Sequence, residues 1–290
     1  MRTAFCIMSH KYTPVLRELV SLLAPCGDVY LHVDAKSDIT PFSALRDEVV
    51  FVEPRVNVAW GCWTQIEANL RLLESTRAGE YGHIAIISGD TLPVRPPAEI
   101  AEWLAANAGR EFVFERPLKP AHADRLKYRH PQVSPRDMKP VARVLLTIQR
   151  RLRLLPRNRG FERIPRLVFA SNWIVITPEF RDWMQGYLSD NPWFADVFRH
   201  SHCGDELFFG TLLASSPFAD AHDRRRYMYV DWETGPDYPR TLTAEDYGRM
   251  SAAAARDTAG EHYLFARKMA DNTDIAHYRR TFIDRAAGND

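Results

Sequence analysis

The sequence predicts an α/β fold in which a mostly parallel sheet is covered on both faces. Along the first hundred residues, short apolar runs alternate with segments that have helical periodicity. The apolar runs are continuous, as in strands that are buried on both faces. A chain of 290 residues with 46% hydrophobic content is also long enough to bury a large core.

The alternation starts at the N-terminus. TAFCIMSH, from Thr3 to His10, is an apolar run of strand length. TPVLRELVSLLA then has apolar residues at helical spacing, with Thr13 as the N-cap and Pro14 at the first helical position. A strand followed by a helix is the repeating unit of a parallel sheet.

The alternation continues to about residue 90. The segments are the strand DVYLHVD, which ends at Asp34, the short strand VVFVEP, the helix CWTQIEANLRLLEST and the buried strand HIAIISGD, which ends at Asp90. Ligands of open α/β sheets bind beyond the carboxyl ends of the strands. His10, Asp34 and Asp90 are therefore candidate ligand-binding residues.

The region from residue 107 to residue 170 is less regular. It contains one further strand candidate, EFVFER, and then the basic amphipathic stretch MKPVARVLLTIQRRLRLLPRNR. The apolar face of that stretch could pack on the core, or it could lie on an anionic membrane surface with its arginines outward. The sequence leaves both alternatives open.

Strand and helix signals return in the last third. SNWIVITPEF predicts a strand and a helix start, and GDELFFGTLLAS predicts a helix opened by two acids. PRTLTAEDYGRM has Thr243 as N-cap and Asp246 at the third helical position, a capping-box pattern. HYLFARKM predicts an apolar turn that presents Arg267 and Lys268 side by side. No repeat or linker interrupts the chain, so the sequence gives no sharp domain boundary.

Composition and charge exclude several function classes. The 38 basic and 37 acidic residues give a net charge of +1, so no global field attracts nucleic acid. Four widely spaced cysteines without a CxxC motif suggest neither a zinc site nor a disulfide framework. The N-terminal apolar run meets His10 and Lys11 too early for a signal sequence, and no segment has the length of a membrane span. We therefore expect a cytoplasmic protein.

The motifs of rival chemistries are missing from the sequence. No GxGxxG, GxxxxGK[ST] or GxSxG is present, and Asp34 and Asp38 are too far apart for the Asp-x-Asp of a metal-dependent sugar transferase. A diphosphate leaving group would then need Arg or Lys side chains as its cations. The Asp205–Glu206 pair at a predicted helix start offers one acid as a cap and one that could take a proton from a sugar hydroxyl.

Six segments together resemble one enzyme family. VYLHVDAKSD, VAWGCWTQIEANLRLLE, HIAIISGDTLPVRP, SNWIVITPEF, GDELFFGTLL and LFARKM occur in the order and approximate spacing of the core-2/I-branching β-1,6-N-acetylglucosaminyltransferase family, which also contains the peptide O-xylosyltransferases. The likeness extends from about Arg2 to Met269. It implies a GT-A-like α/β fold, a UDP-sugar donor, inversion at the anomeric carbon, and no divalent metal or other cofactor.

The resemblance implies roles for individual residues at the donor side and the reacting centre. Glu206 matches the general base. Lys268, in the Leu-Phe-Ala-x-Lys motif, matches the cation that meets the diphosphate, and Arg240 matches a second one. Arg267 stands at the variable position of that motif, where a surface residue is expected.

The remaining assignments complete the two substrate sites. Asp34 is expected at the uridine or ribose, and the other donor-binding candidates at strand ends are His10 and Asp90. The acceptor-binding candidates are Glu115, Arg129 and Trp232. The structural alternatives are that Asp34 and Asp90 order turns, that Trp232 is core, and that Glu115 pairs with Arg116 or Arg129.

The chain also departs from the family. Eukaryotic members carry a membrane anchor, a stem and several disulfides, which this sequence lacks, so a bacterial-type soluble member is expected. We predict one domain over residues 1–290, with a nucleotide-binding half (1–106) and an acceptor-binding and catalytic half (107–290).

The acceptor is expected to be a glycan or a lipid-linked molecule. Peripheral membrane contact through the basic helix near residues 140–155 is one alternative for that helix. GlcNAc is the first expectation for the sugar; the alternatives are xylose transfer or a non-catalytic UDP-sugar or glycan-binding module.

Overall fold

A seven-stranded sheet lies at the centre of the computed structural model, which describes residues 2–135, 137–234 and 239–284. The strands of this and two smaller sheets are β1 (Thr3–Ser9), β2 (Gly27–Val33), β3 (Val50–Phe51), β4 (His83–Ser88), β5 (Leu92–Pro93), β6 (Glu111–Phe112), β7 (Glu115–Arg116), β8 (Phe169–Ala170), β9 (Ile174–Ile176), β10 (His222–Asp223), β11 (Arg226–Val230) and β12 (Glu261–Arg267). The α-helices are α1 (Pro14–Leu23), α2 (Trp63–Ser75), α3 (Pro97–Ala106), α4 (Pro120–Lys127), α5 (Pro140–Arg151), α6 (Pro178–Asp190), α7 (Pro192–Arg199), α8 (Asp205–Ala214), α9 (Tyr247–Ala254) and α10 (Ile275–Phe282).

The central sheet is mostly parallel. Its strand order is β3-β2-β1-β4-β9-β6-β10, and only β9 runs antiparallel to both of its neighbours. Strands β1, β2 and β4 are parallel neighbours in the middle, so their carboxyl ends lie at the same edge. The second sheet has the order β11-β12-β5, and β7 pairs with β8 in a two-stranded ribbon.

Helices cover both faces of the central sheet. Alternate residues of β1 point to opposite faces: Phe5 and Ile7 belong to one apolar cluster with α1, α9 and α10, and Ala4 and Cys6 belong to another with α2, α6, α7 and α8. This arrangement confirms the predicted α/β fold with a mostly parallel sheet flanked by helices. None of the helices in the described residues is long and apolar enough to cross a membrane.

Two predicted helix starts are confirmed. The Thr13 hydroxyl accepts a hydrogen bond of 3.1 Å from the amide of Leu16 at the start of α1. Thr243 and Asp246 form the predicted capping box, although its first turn, Ala244–Asp246, is a 3-10 helix that leads into α9. In both cases a side-chain oxygen satisfies an amide that has no partner within the helix.

Two segments differ from the prediction. HYLFARKM forms most of β12 rather than a turn, because Glu261–Arg267 pairs with β11 on one side and with β5 on the other. EFVFER forms two short strands instead of one, β6 in the central sheet and β7 in the ribbon. Both outcomes depend on partners that lie far away in the sequence.

Candidate functional site

One large cavity lies beyond the carboxyl ends of the central parallel strands. Its volume is about 1670 Å³, which exceeds the roughly 300–1,000 Å³ of a site for one drug-sized ligand. The cavity runs from the ends of β1, β2 and β4 to the N-terminus of α8. It is large enough to hold two substrates side by side.

The three candidates at strand ends all line this cavity. His10 follows β1; partial loss of solvent around its ring, and secondly the charge of Lys11, lower the pKa of the imidazole. Asp34 follows β2 and is buried, and its Oδ1 accepts hydrogen bonds from the amides of Lys36 (3.0 Å) and Val58 (3.3 Å). Asp34 therefore orders the loop after β2 and faces the cavity at the same time.

Asp90 is part of a charged cluster with Arg267. The Arg267 guanidinium donates to Ser88 Oγ at 3.0 Å and to Asp90 Oδ1 at 3.4 Å, and it lies 4.5 Å from the centroid of the Trp173 ring. Burial acts to raise the pKa of Asp90, but the charge of Arg267 and the hydrogen bond from Ser88 outweigh it and lower the pKa below its ordinary value. Asp90 is therefore a carboxylate at neutral pH.

The expectation of Arg267 on the surface is wrong. Arg267 is 8% exposed, because it is the last residue of β12 and its guanidinium has Asp90 and Trp173 as partners. Lys268, the next residue, is half-buried, and both cations line the cavity. The two adjacent cations therefore differ in their burial.

Arg240 lies away from these groups. Its Nη2 is 3.3 Å from Asp246 Oδ1, and Nη1 is 3.3 Å from the backbone oxygen of Thr234. Its neighbours Pro239 and Thr241 line the cavity. The structure thus brings Lys268 and the strand-end residues together, whereas the Arg240 guanidinium is directed to the capping box of α9.

Glu206 lies in the first turn of α8, on the cavity wall. Arg116 Nη2 donates to its Oε1 at 2.6 Å, and Arg125 Nη1 donates to its Oε2 at 2.6 Å. The two guanidinium groups thus bind one carboxylate oxygen each. Each carboxylate oxygen keeps a second acceptor site beside its arginine, at which an acceptor hydroxyl could donate its proton.

Asp205 has a different environment from its neighbour. It is 6% exposed and accepts a hydrogen bond of 2.8 Å from the Asn172 side-chain amide. Burial, and secondly the negative charge of Glu206, raise the pKa of Asp205 to about 7. This carboxyl group therefore changes its charge near neutral pH.

The structure places the three acceptor-binding candidates in different environments. Trp232 lines the cavity with 45% of its surface exposed, and its ring lies 5.5 Å from the Arg116 guanidinium carbon, so it is not a core residue. Glu115 pairs with Arg224 at 2.8 Å rather than with Arg116 or Arg129. Arg129 is exposed at the surface, and its amide donates to the backbone oxygen of Pro156. Of the three, the structure brings Trp232 to the cavity lining.

Comparison with protein families decides where the chain belongs. The model of the Core-2/I-Branching enzymes matches residues 3–253, well over half of the chain. The chain belongs to the Core-2/I-Branching enzyme family. The family predicted from the six sequence segments is therefore confirmed, and with it the GT-A-like α/β fold. The match ends before β12, so Lys268 lies outside the matched residues.

Solved structures give weaker likenesses to this Core-2/I-Branching enzyme. S. aureus TarS is 12% identical at a TM-score of 0.37, over 73% of this chain and 33% of that chain. S. aureus TarS 1-349 in complex with UDP-GlcNAc is 13% identical at a TM-score of 0.32, over 66% and 48%. Mannose-1-phosphate geranyltransferase from Thermus thermophilus is 12% identical at a TM-score of 0.36, over 76% and 67%. The chain thus spans about a third to a half of these TarS chains. A search of curated proteins finds no match.

The sequence analysis did not predict the arginines around Glu206. Arg116 and Arg125 are cavity-lining residues of this family member, contributed by β7 and α4. Successive side chains of a strand point to opposite sides, so Arg116 faces the cavity and Glu115 faces away from it. Strand alternation separates the side chains of Glu115 and Arg116, but by itself it does not identify the one that faces the cavity.

Among the residues that the structure describes, no group of three or more His, Cys, Asp or Glu side chains is arranged to bind one metal ion. Asp34 and Asp90, the two acids at the strand ends, have hydrogen bonds or ion pairs with their own loops and with Arg267.

Proposed function

We propose that the protein is an inverting, metal-independent glycosyltransferase that moves a sugar, with GlcNAc as first choice, from a UDP-sugar to a hydroxyl of a glycan or glycolipid. One observation carries the proposal. A single cavity connects the strand ends, where His10, Asp34 and Asp90 lie, to the carboxylate of Glu206 at the start of α8. Family membership supports the same activity class.

In the proposed reaction the acceptor hydroxyl attacks the anomeric carbon in one step. The oxygen forms the new glycosidic bond while the bond from the anomeric carbon to the diphosphate breaks, and Glu206 takes the hydroxyl proton. A single displacement inverts the anomeric configuration. Trp232, exposed on the cavity wall, offers a flat apolar surface on which the acceptor sugar can stack.

The leaving group needs positive charge as it departs. Lys268 lines the same cavity as Asp90 and is the cation that we assign to the diphosphate. Arg240 would have to turn from Asp246, 3.3 Å away, to contribute a second charge.

The arginines next to Glu206 fit a base that is activated by acceptor binding. In the structure, Arg116 and Arg125 hold the carboxylate in position through two hydrogen bonds. When the acceptor hydroxyl replaces one of them, the released guanidinium can bind other acceptor oxygens. Proton transfer would then start only with the acceptor in place.

Substitution of Glu206 tests the base. We expect Glu206→Gln to bind UDP-sugar as tightly as the unmodified protein, because the amide keeps the size of the side chain, and to lose transfer. Calorimetry gives the donor affinity and UDP release with an acceptor extract gives the turnover. Glu245→Gln, at an exposed acid before α9, is the matched control. Equal loss of binding and transfer would contradict the role of Glu206.

The ion pairs of Glu206 also favour a second candidate, a UDP-sugar or glycan-binding module without catalysis. A carboxylate held between two guanidinium groups is also the arrangement of a structural ion pair. Mixing donor with acceptor extract separates the two candidates, because only the transferase accumulates UDP. Comparing UDP-GlcNAc with UDP-xylose in this assay separates the GlcNAc and xylose alternatives.

The place of action and the division of the chain are also proposals. We propose a cytoplasmic enzyme of surface-glycan synthesis whose acceptor is lipid-linked, with peripheral contact of the basic helix at the membrane. Residues 1–106 contain the strand ends assigned to the donor, and residues 107–290 contain Glu206 and the acceptor candidates. Lys268 and Arg240, which we assign to the diphosphate, also lie in residues 107–290, so the second half would contribute to the donor site as well.

A further inference from the structure

Helix α5 carries an apolar stripe that faces away from the rest of the molecule. The stripe consists of one face of α5 and the residues just after the helix, and the exposed fractions of its side chains lie between 46% and 72%. The residues are Val141, Val144, Leu145, Ile148, Leu152 and Leu154. Leu146, the buried residue of this fully described helix, lies on the opposite side, because successive residues turn by about 100°. Such a contiguous apolar surface indicates an interaction site, unlike scattered exposed apolar residues.

The same part of the chain is strongly basic. Residues 138–161, which we call the basic segment, contain seven of the 38 Lys and Arg residues and none of the 37 Asp and Glu residues. Because the whole chain has a net charge of only +1, the rest of it is net acidic. Arg143, Arg151 and Arg153 are exposed on or next to α5. Positive charge is therefore concentrated around the apolar stripe.

We propose that the apolar stripe of α5 docks on an anionic lipid bilayer. An amphipathic helix lies in the plane of the interface, with its aliphatic side chains below the headgroups and its basic side chains at their level. The stripe and the basic segment match these two layers. A second copy of the chain is a poorer partner, because a symmetric contact would place two basic segments against each other.

Docking would bring the cavity close to the bilayer. Arg153, just after α5, has its Nη2 3.6 Å from Asp124 Oδ2 on α4. The next residue of α4, Arg125, lines the cavity. The end of α5 is thus close to a helix that contributes to the cavity wall. This placement suits the lipid-linked acceptor of the proposed function, but the docking itself does not require sugar transfer.

Sedimentation with vesicles tests the docking in the intact chain. We expect binding to vesicles of equal parts phosphatidylglycerol and phosphatidylcholine that weakens as salt is added, and at least about tenfold weaker binding to phosphatidylcholine alone. Neither donor nor acceptor is present. A failure of docking can therefore be distinguished from a failure of the proposed transferase activity.

The apolar contribution is tested by the double variant Val144→Ser/Ile148→Ser. We expect at least about tenfold weaker vesicle binding, because two inserted aliphatic side chains are lost. Val50→Ser/Val133→Ser is the matched control, since these residues are also about half exposed but lie elsewhere. All four positions are on the surface, so thermal unfolding is expected to stay unchanged.

The charge contribution is tested by Arg143→Gln/Arg151→Gln. We expect at least about tenfold weaker binding to the anionic vesicles and no change with Arg77→Gln/Arg256→Gln, which removes two exposed arginines outside the basic segment.

Three outcomes would overturn the proposal. Unchanged binding in the serine and glutamine double variants would show that α5 is not the contact. Equal binding to both vesicle types would exclude recognition of anionic lipid. A dimer in light scattering that becomes a monomer in Val144→Ser/Ile148→Ser would show that a second copy covers the stripe.

Discussion

Asp205 and Glu206 are adjacent in sequence but have contrasting surroundings. Glu206 faces the cavity between two guanidinium groups, whereas Asp205 is buried and has a neutral amide, from Asn172, as its side-chain partner. The start of a helix causes this contrast, because consecutive side chains there point in directions about 100° apart. One acid is therefore available to substrate, and the other responds to pH.

The raised pKa of Asp205 predicts how stability depends on pH. Because its pKa is about 7 in the folded chain, the folded state holds the proton more tightly than the unfolded state. The protonated Asp205 carboxyl group therefore stabilises the folded state fully below about pH 4. This stabilisation is lost as the pH rises through about 7, and the free energy of unfolding decreases by up to about 4 kcal/mol.

The variant Asp205→Asn removes this titration. We expect its free energy of unfolding, relative to the unmodified protein, to increase between pH 4 and pH 8, as measured by urea denaturation at several pH values. Asp220→Asn, at an exposed acid, should give a constant difference. A constant difference in Asp205→Asn as well would show that burial does not shift this group.

Substitutions of the neighbouring residues Arg267 and Lys268 are expected to have different effects, the first on stability and the second on catalysis. Arg267→Met should lower the free energy of unfolding by about 2 kcal/mol or more, since it leaves Asp90 without its buried cation. Lys268→Met should lower kcat by about 100-fold, because it removes charge at the leaving group, with little change in stability. Urea denaturation and UDP release measure the two effects. Loss of stability without loss of kcat in Lys268→Met would contradict the assignment.

At the scale of elements, the sequence was sufficient to predict those strands that are buried on both faces, because such strands are continuous apolar runs. Strands β1, β2 and β4 are continuous apolar runs in the middle of the sheet, so their composition identifies them and their ends give His10, Asp34 and Asp90. HYLFARKM has a similar composition, but its strand forms through pairing with residues 226–230 and 92–93. Local periodicity contains no information on such distant partners.

Strand β7, Glu115–Arg116, shows that prediction of the site is limited in the same way by pairing with distant residues. Which side chain of this pair faces the cavity depends on the break between β6 and β7 and on pairing with β8, about fifty residues further along the chain. The sequence suggested one continuous strand, and the family resemblance gave Glu115 as an acceptor-binding candidate. The structure places Arg116 at the cavity, next to Glu206.

The cap of α1 gives a prediction at the scale of one helix. Thr13→Ala should lower the free energy of unfolding by about 1 kcal/mol, because the amide of Leu16 loses its hydrogen-bond acceptor. Thr13→Ser keeps the hydroxyl and should lose much less. Urea denaturation of both variants measures the difference, and an equal loss in both would attribute the effect to packing of the methyl group instead.

At the scale of the whole molecule, the fold collects distant parts of the chain around one cavity. The parallel strands supply His10, Asp34 and Asp90, α8 supplies Glu206, and Lys268 follows directly after β12. In the proposed reaction Lys268 would neutralise the departing diphosphate, and the proposed independence from metal rests on this role.

This arrangement predicts that transfer continues in EDTA. UDP release should be the same before and after the chelator, because Lys268 supplies charge that a metal would otherwise provide. Inhibition that Mg²⁺ or Mn²⁺ reverses would contradict the metal-independent mechanism. Lys268→Met, assayed with and without Mn²⁺, shows in addition whether a divalent ion can substitute for the lost cation.

The contact between β12 and the end of β4 has a consequence for the synthesis of the protein. The amide of Met269 donates to the backbone oxygen of Asp90 at 2.8 Å, and Arg267 pairs with the carboxylate of the same residue. A nascent chain that has left the ribosome only up to residue 250 contains all the donor-side strands but lacks this closing segment. On the proposed mechanism, such a chain could not yet turn over a nucleotide sugar, and competence would arise only after β12 and Lys268 have left the ribosome.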